Sequence, residues 1–183
     1  MSADSKKAFP SWVDIKAKLA DFDRDGLLGL VHDLYAGSKD TQAFLHARLH
    51  LGNDVLMPYK ATMSRWLWPD VFKNQDISLA KAKKAIIDYK KAVGQPEGLA
   101  ELMVFYCEQA SGFSRDVGLQ DEGHFDALVR MFGQALKAIA TLPQALRPAL
   151  RARLDAVRHA SHDIGYGLGE DMDSLLTEHR ADD

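Results

Sequence analysis

Residues 99–139, LAELMVFYCEQASGFSRDVGLQDEGHFDALVRMFGQALKAI, decide the fold class. Leu99, Leu102, Met103, Tyr106, Ala110 and Phe113 recur at the three- and four-residue offsets of one helical face. Phe125, Leu128, Val129, Phe132, Leu136 and Ile139 repeat those offsets. Between the two series, Gly118 and the acidic Asp121 and Glu122 mark a turn. The stretch therefore reads as two amphipathic helices paired in the core. The residues around the shared offsets differ, which argues against an internal repeat.

The same period extends outward on both sides, whereas alternating runs rich in Val, Ile and Thr are nearly absent. The predicted class is all-α: a single-domain bundle of about seven to nine amphipathic helices with no sheet. Ser11 with Asp14 forms an acidic capping box for a helix from Trp12 to about Leu19. Asp23 or Asp25 opens a second, with Leu27, Leu28, Val31, Leu34 and Tyr35 at helical offsets and Gly37 at its end. A third runs from Thr41 to Leu51, broken by Gly52 and Asn53. A fourth runs from Asp54 to Leu67, with Pro58 early, where a missing amide costs little, and Pro69 beyond. Ser78 caps a fifth, bearing Leu79, Ala82, Ile86 and Val93, and Gly94 and Pro96 stop it and start the next.

Pro143 and Pro148 bound the entry to the last helical region. Leu150, Leu154, Val157, Ile164, Leu168, Met172 and Leu175 keep register straight across Gly165, Gly167 and Gly169. The expectation is one continuous helix in which the three glycines allow close helix packing. A phosphate-binding loop is the lesser reading, because such loops follow a strand.

A chain of 183 residues, 46% apolar, suits one domain. It is placed at 11–178, between flexible ends at 1–10 and 179–183. A formal net charge of −3 implies no whole-protein attraction to nucleic acid or anionic membrane. Cys107 is the only cysteine, which excludes an intramolecular disulfide and cysteine-rich zinc sites. At the edge of an apolar stripe it reads as an inert, buried thiol. No apolar run follows Lys6 and Lys7, and none is long enough to span a bilayer, so a cytoplasmic location with no membrane partner is expected.

Asp155, His159, His162 and Asp163 are the only dense set of metal-ligand types, and Asp155, His159 and His162 can share one helix face. That face lies opposite the apolar stripe, beside Arg158, so a solvated surface is preferred over a metal-dependent enzyme, and no cofactor is expected. His32, His46, His50, His124 and His179 read as surface or helix-end residues. Gly-x-Ser-x-Gly, Walker and His-Glu-x-x-His motifs are absent. Glu101, Glu108 and Arg115 repeat on one polar face, read as solvated or as an interface.

Between Met57 and Lys91 eight basic residues face three acidic ones, a local balance of +5 that leaves −8 for the rest of the chain. Lys81, Lys84 and Lys91 beside Trp66 and Trp68 have the types needed to hold single-stranded nucleic acid by phosphate attraction and base stacking. The plainer reading is an exposed helix face, with the tryptophans plugging the end of a bundle.

Leu79, Ala80, Lys84, Ala85, Ile86, Asp88, Lys91 and Pro96, then Leu102, Met103, Tyr106, Glu108, Gly112, Phe113, Gly118 and Phe125, and finally Ile164 to Gly167, form a pattern of landmarks. In these the chain resembles an uncharacterised family of small bacterial helical proteins, from roughly Trp12 to Leu176, with a poor match over Leu51 to Pro69. The resemblance implies an all-α fold and carries no catalytic residue. The leading functional expectation is a non-enzymatic helical module that binds another protein or itself. Nucleic-acid binding through 57–91 and a metal-dependent enzyme at Asp155, His159 and His162 are the alternatives.

Overall fold

Polar residues at the helix entries do the local work. In the computed structural model, which describes residues 10–49, 51 and 54–180, Ser11 and Asp14 form the reciprocal capping box that opens α1 (Trp12–Leu19). Asp23 accepts the Gly26 amide at 2.8 Å to open α2 (Arg24–Gly37). Next come α3 (Lys39–Arg48) and α4 (Met57–Leu67), each starting later or ending earlier than the apolar pattern suggests. Ser78 caps α5 (Leu79–Ala92), Pro96 starts α6 (Pro96–Val117), and Asp121 caps α7 (Glu122–Ala140). Gly118 closes α6 at φ +64°, as its position predicts. Nine α-helices and two short 3-10 turns, with no strand, make up the described residues. Residues 1–9 and 181–183, and His50, Gly52 and Asn53, on which readings of flexible ends and a helix break were placed, lie outside those described.

The last helical region differs from its expected form. α8 (Arg147–His162) stops before Gly165 and α9 (Leu168–Arg180) starts after Gly167, with Gly169 in its first turn. Gly165, Tyr166 and Gly167 all take the left-handed backbone, at φ +87°, +58° and +72°. Apolar register alone could not reveal the break, because a tight turn of this length returns the chain with Leu168 and Met172 still facing the core. Close packing is not what Gly165 and Gly167 provide, since a Cβ at either would meet nothing within 4 Å. Gly169 does sit against a neighbour, the His162 ring. Gly165→Ala is accordingly expected to cost about 1 kcal/mol through backbone strain alone. A urea midpoint equal to that of the parent protein would contradict this.

The chain divides into two compact units, Met1–Gln42 and Ala43–Asp183. The first contains α1 and α2, neither of which has a buried residue. The second carries the core. There α6 packs against α4, α5, α7 and α8, and α9 against α7 and α8. The predicted stripe on α6 is buried at Leu102, Tyr106, Ala110 and Phe113. A second face made of small residues, Ala100, Val104, Cys107, Ser111 and Ser114, is buried as well. Neighbours on both sides explain why: a helix in the middle of a bundle needs small residues wherever another backbone comes close. α9 extends helically through Arg180, into the segment expected to be a flexible end.

Candidate functional site

The histidine face lies at the C-terminal end of α8 and faces α9. Asp155 Oδ2 and His159 Nε2 stand 3.5 Å apart, as four-residue spacing on a helix requires. Arg158 joins them: its Nε donates to Asp155 Oδ1 at 2.9 Å, its Nη1 to Asp173 Oδ1 at 2.6 Å, and its Nη2 lies 2.8 Å from His159 Nε2. His162 turns instead to Asp173, with Nε2 3.2 Å from Oδ2, and to Glu170. A guanidinium on these acceptors repels a second cation, and among the described residues no three His, Cys, Asp or Glu converge as a metal site. The Arg158 hydrogen bond holds the Asp173 carboxyl below its usual range, so the cluster acts as an ionic clasp between α8 and α9.

The basic segment is also engaged internally. Lys81 Nζ stands 3.8 Å from the centroid of the Trp66 ring and Arg65 Cζ 4.6 Å from it, so the π-system a base would stack on already holds this chain's own cations. Trp68, partly exposed, lays its ring over Gly112 of α6, where a Cβ would come within 2.8 Å of Cη2. Lys84 binds Asp88 at 2.5 Å. Lys91 is exposed on the same helix. Lys81, Lys84 and Lys91 thus share an outward face, while the two tryptophans serve the packing of α4 against its neighbours.

Glu101 and Glu108 do not face open solvent as a surface pair would. They converge on Arg153 of α8, which binds Glu108 through two parallel hydrogen bonds of 2.7 Å and Glu101 through one of 2.6 Å. Lys60 of α4 completes the network at 2.7 Å from Glu101. Burial raises the Glu101 carboxyl, but the hydrogen bonds from Arg153 and Lys60 outweigh it and leave the group below its usual range. The bidentate bond to Glu108 holds Arg153 charged. Nothing local in the sequence signals this network, since 45 and 52 residues separate Arg153 from its two partners.

Next to Glu101 the larger unit has an open cavity of about 400 Å³. Leu56, Val93, Leu142, Leu146 and Leu150 form its apolar wall, and Tyr89, Gln95, Glu97 and Glu101 its polar side. Tyr89 reaches this place because Gly98 presents no side chain.

Potential nucleophiles elsewhere are restrained. Cys107 is fully buried, and burial pushes its thiol well above its usual range; burial likewise pushes the Tyr106 phenol up to about 12. His124 stands in the first turn of α7, as a helix-end residue, yet it is buried rather than on the surface. Its Nε2 lies 3.3 Å from the Ala110 carbonyl, and burial lowers its pKa, favouring the neutral ring.

No family model, curated protein or solved structure matches the chain.

Proposed function

We propose that this chain is a non-enzymatic, cytoplasmic protein-interaction module whose N-terminal unit presents the docking face. The observation that carries the reading is that α1 and α2 are well capped and yet bury nothing, leaving Trp12 66% and Leu28 56% exposed, with Ile15, Phe22, Val31 and Leu34 also out. Large apolar side chains left out on capped helices mark interaction surfaces, because leaving them in water costs about 25 cal/mol per Å². Five aspartates against three basic residues across 12–37 give these two helices a net negative charge. The partner that fits is an amphipathic helix with basic flanks. No helix among the described residues is long and apolar enough to cross a membrane.

The Leu28→Asp, Leu34→Asp double variant removes apolar contacts without touching the core, so its thermal stability should stay within about 0.5 kcal/mol of the parent. Affinity capture from lysate, with and without nuclease, is expected to retain one protein in both halves and to lose it with the double variant. Light scattering reports whether that partner is a second copy. Capture that disappears with nuclease, or that survives the double variant, would refute the reading; the former outcome would favour Lys81, Lys84 and Lys91 as a nucleic-acid face.

A further inference from the structure

We propose that the cavity bounded by Tyr89 and Glu97 is a binding site for a small aliphatic ammonium compound. Its volume of about 400 Å³ falls within the range of small-molecule sites and leaves room for about a dozen non-hydrogen atoms at about 30 Å³ each. The wall is aliphatic, so it accepts an alkyl chain and offers that chain no hydrogen bond.

The polar side selects the head group. Tyr89 is 2% exposed and lines the cavity, and its hydroxyl forms no hydrogen bond among the described residues. Since the hydroxyl borders the open cavity and no protein group occupies it, it is available to a ligand head group. Glu97 and Glu101 are the lining residues that carry charge, and both are carboxylates. Glu101 is held by Arg153 and Lys60. Glu97 is exposed in the first turn of α6, and it has no ion pair among the described residues. It lies near enough to Tyr89 for its charge, after burial, to push the phenol upward. An ammonium entering here donates to the Glu97 carboxylate and to the Tyr89 hydroxyl oxygen, while its chain lies against Leu142, Leu146 and Leu150. A carboxylate ligand would meet Glu97 with like charge.

The test is isothermal titration of the full chain with octylammonium, octan-1-ol and octanoate, three probes of one chain length and different head group. Octylammonium is expected to bind at least about tenfold more tightly than the alcohol, the size of one charge-assisted hydrogen-bonded contact, with octanoate weakest. Glu97→Gln is expected to bring octylammonium down to the level of the alcohol. Ala149→Phe, at an exposed position on the cavity wall, should abolish binding of all three. Circular dichroism checks that both variants keep their helices. No binding, an alcohol or octanoate as tight as the amine, or an amine that binds the Ala149→Phe variant undiminished would overturn the proposal.

Discussion

Gly98→Ala is expected to destabilise the protein by about 3 kcal/mol, a fall in melting temperature of about 6–12 °C. Helix propensity alone gives the opposite sign, because alanine in a helix is favoured over glycine by about 0.5–1 kcal/mol. The reversal comes from the partner across the helix interface. A Cβ at residue 98 would overlap the Tyr89 hydroxyl and Cζ and reach Cε1 at 2.9 Å. Tyr89 is backed by Tyr59, edge-on with ring centroids 5.4 Å apart, so the ring can yield to the methyl only by giving up that contact and moving toward the cavity. Gly112→Ala makes a similar overlap with Trp68, but that ring is partly exposed and can shift, so a smaller loss is expected. Denaturation of the four proteins in a Gly98→Ala, Tyr89→Ala cycle checks the cause. With the ring removed, the added methyl should cost nothing, giving a coupling of about 2 kcal/mol or more. A stabilised single variant would rule out the packing account.

Arg153→Met should cost about 2 kcal/mol, or about 4–8 °C in melting temperature. Methionine keeps the stem packing and removes only the charge, which leaves Glu108 without its bidentate partner and Glu101 with Lys60 alone. Fully buried pairs broken on one side lose about 3–5 kcal/mol. The value here is discounted because the side chains of Arg153, Glu101 and Glu108 are 35%, 21% and 31% exposed. The pH dependence has a fixed sign. Glu101 titrates lower when folded than when unfolded, so its contribution is complete above the ordinary carboxylate range and is lost as the pH falls through the folded value. The gap between parent and variant should therefore be widest near neutral pH and close in acid. Replacing the set together, as Glu101→Gln, Glu108→Gln, Arg153→Met, should cost less than the single change, because no charge is then left half-buried and unpaired. A gap independent of pH would mean that packing, not charge, explains the loss.

The helix entries were legible because a cap is a local event. Ser11, Asp23, Ser78 and Asp121 each bond a backbone amide three residues on, and three residues of sequence suffice to see it. The candidate sites were less legible. The spacing of Asp155, His159 and His162 could show that they share a turn or two of helix, but not that Arg158 would bring Asp173 from α9 into the same cluster. Trp66 and Lys81 looked like parts of a nucleic-acid face by composition. Their 3.8 Å contact joins α4 to α5, and composition does not record who touches whom.

Sequence alone determined the all-α class, the pairing of α6 with α7 and the buried state of Cys107, because apolar periodicity and capping act over one or two turns and reflect the backbone's own geometry. Tertiary structure alone decided the break at Gly165–Gly167, the division into two units, the Lys60–Glu101–Arg153–Glu108 network and the cavity beside Tyr89. Each of these depends on residues distant in the chain or on a turn that preserves apolar register, and neither leaves a mark in local spacing.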